Sequence, residues 1–413
     1  MFANSRLLLI YTIVLLDVIL GSALGPVMPQ FVQGLSQPQL WLTLGTALFL
    51  GIQLVAAPLL GVLSDQVGRR PVVLVSAVGT LVANLFLLPV RTILFFVNRL
   101  SDGFTNGLYS LMRSAVADVS KPEEVVKTTG LVSTFQSLGG VLGPLVASVV
   151  LWLGPPKDQQ TRWVVVAVLG LSVLNLALSF FFKETAKETK QFDASQLRQE
   201  LVRSLNVRQL WQRLKEFDQD RPGLAPITLL TLLLTLNQGY LNYFIPYVGL
   251  GKLKLDATQI SYFFAFFGGL CAISNFLYFK YLVDRLNKRW VLIGAAWIGV
   301  ALHILYANVQ SSLTLLYVAA AADALSASLI AGLLNGLLAQ LSDEENRGEL
   351  FGLTQALSGL ASLVTTLAYG GLSLLALNAP FYWFAACMAV LAVLAMRLKI
   401  PTEKPDEAPA SAA

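Results

Sequence analysis

Long apolar runs alternate with short polar connections along the whole chain, and each run reaches the roughly 20 residues that a helix needs to cross a bilayer. The boundary between the third and fourth runs is marked by Arg91 alone, and merging the two would leave eleven spans. We predict an all-α membrane protein with twelve transmembrane helices, near residues 6–32, 40–64, 71–90, 92–118, 126–153, 162–182, 224–248, 258–283, 290–309, 312–340, 350–374 and 377–398.

A polar stretch rich in Lys, Glu, Gln and Arg separates the first six spans from the last six. The leucines of this stretch recur at helical spacing among arginines, which is typical of basic amphipathic helices on the inner leaflet; a solvated tether fits equally well. The sequence therefore predicts four parts: an N-terminal six-helix lobe at 1–183, a cytoplasmic amphipathic linker at 184–222, a C-terminal six-helix lobe at 223–400 and a disordered tail at 401–413.

Composition agrees with this pattern, because 55% of the 413 residues are hydrophobic and 13% are charged, against about a quarter charged in soluble domains. We interpret the net charge of +5 as a sign of the orientation of the chain in the membrane rather than of a nucleic-acid partner. Basic residues concentrate in the even-numbered connections, so the positive-inside rule predicts that both termini are cytoplasmic. Cys271 and Cys387 fall inside predicted spans and are expected to be buried packing residues.

The short connection after the second span carries the charged motif Gly-x-Leu-x-Asp-x-x-Gly-Arg-Arg, from Gly61 to Arg70. A degenerate copy stands at 280–289, with Asp284 in the place of Asp65. The motif resembles the loop between helices 2 and 3 of the major facilitator superfamily of secondary transporters. Two copies indicate repeated halves, as a rocking two-lobed transporter requires. The resemblance implies the major facilitator fold, with two pseudo-symmetric six-helix lobes in the inner (plasma) membrane.

By the same resemblance, this loop is a conformational latch that holds one lobe against the other in the outward-open state. Asp65 would accept backbone donors at a neighbouring helix N-terminus while Arg69 pairs with Asp118. The alternative is that these are surface charges that only set topology. The latch residues are Gly61, Asp65, Gly68, Arg69, Arg70 and Asp118.

The first span contains Asp17 in the pattern Asp-x8-Pro-x2-Pro. A rise of 1.5 Å per residue from Arg6 places its carboxyl ~16 Å into the membrane, near the midplane. An ionised carboxylate there must be protonated, paired or exposed to a water-filled cavity. The pattern resembles the first helix of the twelve-helix drug:proton antiporters, particularly the tetracycline exporters. A permanent partner that prevents titration is the alternative.

The fourth span has a polar face formed by positions 99, 103, 106, 110 and 113, and Asp102 lies at a depth similar to that of Asp17. Arg99-x-x-x-Gly103 resembles the span-4 arginine motif of the same exporters, with Asp102 where glutamine is usual. Asp323, in the tenth span, is a further buried acid. Which acid titrates stays open. The candidate proton-coupling residues are Asp17, Arg99, Asp102 and Asp323.

The fifth span carries Gly130, Gly139, Gly143 and Pro144, which match the antiporter signature up to its last two glycines. Glycines four residues apart allow close helix contact, and proline permits a bend. By the resemblance, this motif distinguishes exporters from importers; generic helix packing is the alternative.

Polar and aromatic side chains in both lobes suit a weakly polar organic ligand. The aromatic residues of the eighth span fit lipid contact or core packing better than a ligand site, and His303 fits a packing residue better than a proton relay. The candidate cavity residues are Asn106, Arg113, Gln136, Asn237, Gln238, Tyr240 and Asn242.

The sequence contains no phosphate-binding Gly-x4-Gly-Lys-Ser/Thr loop and no cluster with metal-ligand spacing, so we expect neither an enzyme nor a cofactor. The expected function is proton-coupled export of small amphipathic drugs by alternating-access antiport. The expected partners are a small-molecule substrate, protons and membrane lipid, with no nucleic acid and a functional monomer. Two alternatives remain: an exporter of a metabolite such as a sugar, peptide or siderophore, and a sensor that has lost transport.

Overall fold

The computed structural model describes residues 5–121, 124–186, 193, 195, 197, 202, 205–220, 222–251, 253–278, 281, 287–309, 312–341 and 347–397. Helices of the first half are α1 Ser5–Leu24, which continues as a 3₁₀ segment Gly25–Phe31, α2 Pro38–Val67, α3 Arg69–Leu85, α4 Thr92–Thr105, α5 Leu108–Val119, α6 Val125–Trp152 and α7 Gln160–Phe180. Helices that follow are α8 Val207–Asp220, α9 Leu224–Leu250, α10 Ala257–Leu277, α11 Lys288–Asn308, α12 Leu313–Leu341, α13 Arg347–Ser373 and α14 Ala379–Arg397.

Ten helices of the described chain are long and apolar enough to cross a membrane. The other two predicted spans are α3, which has 17 residues, and the pair α4 and α5, which have 14 and 12. The prediction of an all-α membrane protein with twelve spans is therefore confirmed, and Arg91 does separate α3 from α4.

The fourth predicted span, however, is not one continuous helix. It breaks at Asn106 and Gly107, where Asn106 has φ −79° and ψ 63°. Gln53 of α2 stabilises the break because its amide donates to both the backbone oxygen (3.3 Å) and the side-chain oxygen (2.9 Å) of Asn106. The expectation of a single polar face over 99–113 was therefore wrong, since Arg113 lies on a separate helix.

In the described chain, each half contributes most of the residues of two apolar clusters. We call the end of the bundle at residues 64–70 the motif end, and the end at residues 25–37 the far end. At the motif end, the described clusters belong to one half each. At the far end, the cluster around the 3₁₀ segment also contains Ala257 and packs against Ile245, both from the second half.

The most extensive contacts between the halves are those of α2 with α13 and of α6 with α10; α9 also contacts α2, and α9 and α10 contact the 3₁₀ segment. The helices approach closely at glycines: a Cβ built on Gly370 would lie 2.7 Å from Thr43 Cγ2, and one on Gly268 would lie 3.0 Å from Val141 Cγ2. These close approaches lie in the middle and at the far end, and neither motif-end cluster of the described chain combines residues of both halves. The domain boundaries given above stay a prediction.

The linker helix α8 packs on the second half of the chain through Leu210 and Leu214, which are buried in its motif-end cluster. Asp218 accepts from the backbone N–H groups of Gly223 (3.0 Å) and Ala225 (2.9 Å) at the start of α9. The apolar face of α8 is thus occupied by protein. Its position at a leaflet stays a prediction, and the tail at 401–413 lies outside the described residues.

Candidate functional site

Asp17 lies in the middle of α1, on a helix held against α6 by close glycine contacts. A Cβ on Gly139 would lie 2.7 Å from Val18 Cβ and 3.0 Å from the Leu15 oxygen, and a Cβ on Gly143 would lie 2.7 Å from the Ala23 nitrogen. Asp17 is half-buried and makes no hydrogen bond or ion pair with a described residue. Its position on α1 is therefore fixed by backbone packing rather than by a partner of the carboxylate.

Gly130 and Pro144 have different surroundings on the same helix. A Cβ on Gly130 would meet no described atom within 4 Å, so no close packing in the described chain depends on this glycine. Pro144 lies inside α6 without ending it. Two members of the span-5 motif, Gly139 and Gly143, thus form the contact with α1.

Asp102 is the deepest acid of the first half, with 9% of its surface exposed. It lies close enough to Asp17 for the two carboxylates to interact electrostatically, and the Asn106 side chain is within hydrogen-bonding reach. Because Gln53 holds Asn106 from α2, the helix break keeps an amide beside this carboxylate. Two acids from α1 and α4 therefore lie within electrostatic reach of each other.

Arg99 is close enough to Asp102 to attract it, but it bonds to a different residue. Its guanidinium donates to Asn98 Oδ1 at 2.8 and 2.5 Å, and its Cζ lies 5.6 Å from the ring centre of Phe49. Asn98 in turn donates to the Ala83 oxygen at 2.8 Å. The arginine is thus held by neutral groups, which leaves the acid pair without a direct ion pair in the described chain.

In the second half, Asp323 of α12 is 2% exposed and accepts from the Tyr306 hydroxyl at 3.2 Å. Asn237 donates to the Phe384 oxygen (2.9 Å) and contacts His303 Nε2 (2.6 Å). An amide nitrogen only donates, so Nε2 accepts and the imidazole is neutral. Asn237 and His303 therefore have interior partners.

The other candidate cavity residues differ widely in exposure. Tyr240 is fully buried, whereas Gln136, Arg113 and Gln238 are half-buried and Asn242 is exposed. Asn106 is half-buried and bonded to Gln53. Of the side chains proposed for the second lobe, Gln238 and Asn242 remain the accessible ones.

The loop motif forms a compact charge network at the motif end. Arg69 contacts Asp65 at 2.5 Å and Asp118 at 3.1 Å, and it donates to Ser64 Oγ at 2.5 Å. Gly68 supplies the turn with φ 102°, where a side chain would be strained. In the described chain this network joins α2, α3 and α5. The second copy, including Asp284, lies outside the described residues.

Glu184, which sequence reasoning missed, completes this network. Its carboxylate accepts from the backbone N–H groups of Arg69 (2.8 Å) and Arg70 (3.0 Å) at the start of α3. Burial raises the pKa of Glu184, but hydrogen bonds from backbone amides outweigh it and leave the pKa below its usual value. The first acid after the sixth span is the signal that could have suggested it.

This geometry defines a class: a multi-pass helical membrane protein of two packed halves, with an acid pair in one half and a buried acid in the other. The chain belongs to the Major Facilitator Superfamily, whose family model matches residues 8–217 and 227–413. It is therefore a transporter by family, and the predicted major facilitator fold is confirmed.

Among known proteins, the chain is 27% identical over 188 residues to the class H tetracycline resistance protein of Pasteurella multocida, covering 45% of this chain and 46% of that protein. It is 24% identical over 328 residues to the class E protein of Escherichia coli, covering 78% and 77%. The match thus spans less than half the length of the class H relative and about three quarters of the class E relative.

Solved structures are similar over nearly the whole chain. The human organic anion transporter MFSD10 (TETRAN) superposes with a TM-score of 0.67 at 19% identity, covering 94% of this chain and 98% of that one. The xylose transporter XylE of E. coli, in a partially occluded inward open conformation, gives 0.69 at 17% identity, covering 97% and 100%. At these identities the likeness concerns the fold.

Proposed function

We propose that this protein is a proton-coupled exporter of small amphipathic organic compounds, working by alternating-access antiport. It lies in the inner (plasma) membrane with both termini in the cytoplasm and acts as a monomer. The observation that carries the proposal is the acid pair Asp17 and Asp102: two carboxylates from different helices, within electrostatic reach of each other and with no direct ion pair to a described cation. The rise of a helix along the sequence predicts mid-membrane depth for both.

Two carboxylates that interact inside a membrane are not both ionised at low cost, so at least one of them holds a proton. Arg99 remains charged and favours ionisation of the nearer acid, Asp102. We assign the exchangeable proton to this pair and expect substrate in the space between the lobes to compete with it. External protonation then drives substrate release, and deprotonation on the inner side resets capture.

Alternating access requires that the contacts of one end break while those of the other form. In the described chain, the lobes contact each other in the middle and at the far end, whereas each motif-end cluster contains residues of one half only. This arrangement matches a conformation that is open toward the motif end. With both termini inside, this is the cytoplasm-facing state. The network of Asp65, Arg69 and Asp118 would then engage the second lobe in the opposite state.

Similarity to tetracycline resistance proteins supports drugs as the class of exported substrate. The test measures the release of lumenal protons from everted membrane vesicles whose lumen has been acidified. Tetracycline and ethidium are added as probe drugs, and sugars, peptides and siderophores are added in parallel. We expect a probe drug to release lumenal protons in vesicles with the protein and not in vesicles without it. Proton release by a metabolite alone would reassign the substrate, and no release by any compound would remove the antiport mechanism.

A further inference from the structure

The second lobe contains a buried polar cluster that is separate from the acid pair of the first lobe. Four helices contribute to it: Tyr240 from α9, Cys271 from α10, Tyr306 from α11 and Asp323 from α12. No described cation lies among the groups that act on Asp323. His303 packs on Tyr240 with ring centres 4.6 Å apart, and it is neutral. The cluster is thus a carboxyl group beside two tyrosine hydroxyls and a thiol.

We propose that Asp323 is a second proton-binding site, in the C-terminal lobe, which gives up its proton when the lobes exchange conformation. The inference rests on the proposed antiport and deepens it, because it adds one coupled proton to each cycle. The first-lobe pair and Asp323 would then titrate as separate sites on the two lobes.

The hydroxyl of Tyr240 allows this pocket to hold both forms of Asp323. It is buried beside Asp323 and makes no well-aligned hydrogen bond in the described chain. A protonated Asp323 can donate its own hydrogen to that hydroxyl, while Tyr306 donates to the other carboxyl oxygen. An ionised Asp323 can accept from both tyrosines. A permanently neutral acid would not require a second, uncommitted donor.

The cluster borders the contact between the lobes. Cys271 donates its thiol to the Ala324 oxygen at 3.6 Å, next to Asp323, and it is partly exposed. It lies one turn after Gly268, whose surface meets Val141 of the first lobe. Separation of α6 from α10 would therefore open the side of the cluster that Cys271 closes here.

The main experiment measures the accumulation ratio of a transported probe drug, tetracycline or ethidium, at zero net flux in proteoliposomes with the membrane potential clamped at zero. Each coupled proton contributes a factor of ~10 to that ratio per pH unit of gradient. We expect Asp323→Asn to lower the ratio by about tenfold at a gradient of one pH unit while exchange of the probe continues. Tyr240→Phe should do the same, because Asp323 then stays protonated.

The matched control is Ser326→Ala, which removes another buried polar group of α12, bonded to the Ala295 oxygen at 2.7 Å. It should leave the ratio unchanged. An unchanged ratio in Asp323→Asn, with Asp17→Asn still lowering it, overturns the second site and leaves the proposed antiport intact. A drop of equal size in Ser326→Ala would also overturn it, because the effect would then be one of packing.

A second measurement does not depend on transport. Infrared difference spectra of the purified protein between acidic and alkaline buffer should contain a carboxylic-acid band that is missing in Asp323→Asn. Alkylation of Cys271 by N-ethylmaleimide, in a Cys387→Ala background, should speed up when conditions favour separation of α6 and α10. Identical spectra for the parent protein and Asp323→Asn overturn the proposal, even if no transported compound is found.

Discussion

At the scale of single residues, depth and spacing along the sequence predicted acids in the membrane, but not their partners. A helical rise of 1.5 Å places Asp17 and Asp102 at similar depths, and the structure brings them together. Asn98, which binds Arg99, is an ordinary polar residue in the sequence. Glu184 follows Arg69 by 115 positions, and no local pattern indicates that it caps α3. Partners from distant segments depend on packing, which spacing does not encode.

The first residue-scale prediction concerns Asp17. Asp17→Asn keeps the shape of the side chain but cannot release a proton, so gradient-driven accumulation of the probe drug should lose the contribution of one coupled proton, about tenfold per pH unit, while downhill movement of the drug remains. Thr12→Val is the matched control, because Thr12 on the same helix bonds only within α1. Transport should be compared at equal protein amounts. Full accumulation by Asp17→Asn, with loss in Asp102→Asn, would assign the proton to Asp102 instead.

The second residue-scale prediction concerns Glu184. The lowered pKa of Glu184 means that the folded state favours the ionised carboxylate. Its contribution to folding stability is therefore fully present above about pH 4.3, where an unfolded glutamate ionises. The contribution is lost as the pH falls through the lowered pKa. Loss of a helix cap costs about 1 kcal/mol, and less at an exposed site. The Glu184→Gln variant should therefore unfold at a lower temperature than the parent protein at pH 7. The difference between the two unfolding temperatures should disappear in acid.

Thermal unfolding of the purified protein in detergent measures this difference. Glu216→Gln is the control, because Glu216 is an exposed carboxylate of the linker helix α8. If the unfolding temperature of Glu184→Gln stays equally far below that of the parent protein in acid, the charge of the cap is not what stabilises α3.

At the scale of secondary structure elements, the apolar runs predicted the helices well, because a span must satisfy its backbone internally. The break in the fourth span was missed. Asn106 and Gly107 are tolerated inside many helices, and the break is stabilised by Gln53, from a helix more than fifty residues earlier. A Cβ on Gly107 would lie 2.6 Å from Leu60 Cδ1, so the neighbouring helix also shapes this region. Helix continuity here is a tertiary property.

The element-scale prediction concerns the contact between α1 and α6. Gly139→Ala and Gly143→Ala should push α1 away from α6 and displace Asp17, at a cost of about 1–3 kcal/mol for overpacking. We expect a lower unfolding temperature and reduced proton-coupled transport from both variants. Gly140→Ala is the matched control, because a Cβ there meets nothing within 4 Å. Equal activity of all three variants would show that the close contact is not needed for transport.

At the scale of the whole molecule, the motifs predicted the family and the two-lobed fold, and the family match confirms both. They did not predict which conformation the chain adopts. That depends on which of two sets of contacts between the lobes is formed, and a transporter must keep both sets close in free energy. The structure forms the set at the far end, through Thr43 with Gly370 and the 3₁₀ segment with Ile245.

A cross-link at the far end tests whether these contacts must open during transport. A Cβ on Gly370 would lie 3.5 Å from Thr43 Cβ, within the ~3.5–4.5 Å of disulfides. In a background without Cys271 and Cys387, Thr43→Cys with Gly370→Cys should form a disulfide on oxidation and stop export, and reduction should restore it. Thr43→Cys with Gly371→Cys is the matched control, because a Cβ on Gly371 meets nothing within 4 Å. Undiminished export by fully cross-linked protein would mean that the lobes do not separate here, and rocking of the two halves would have to be abandoned as the transport mechanism.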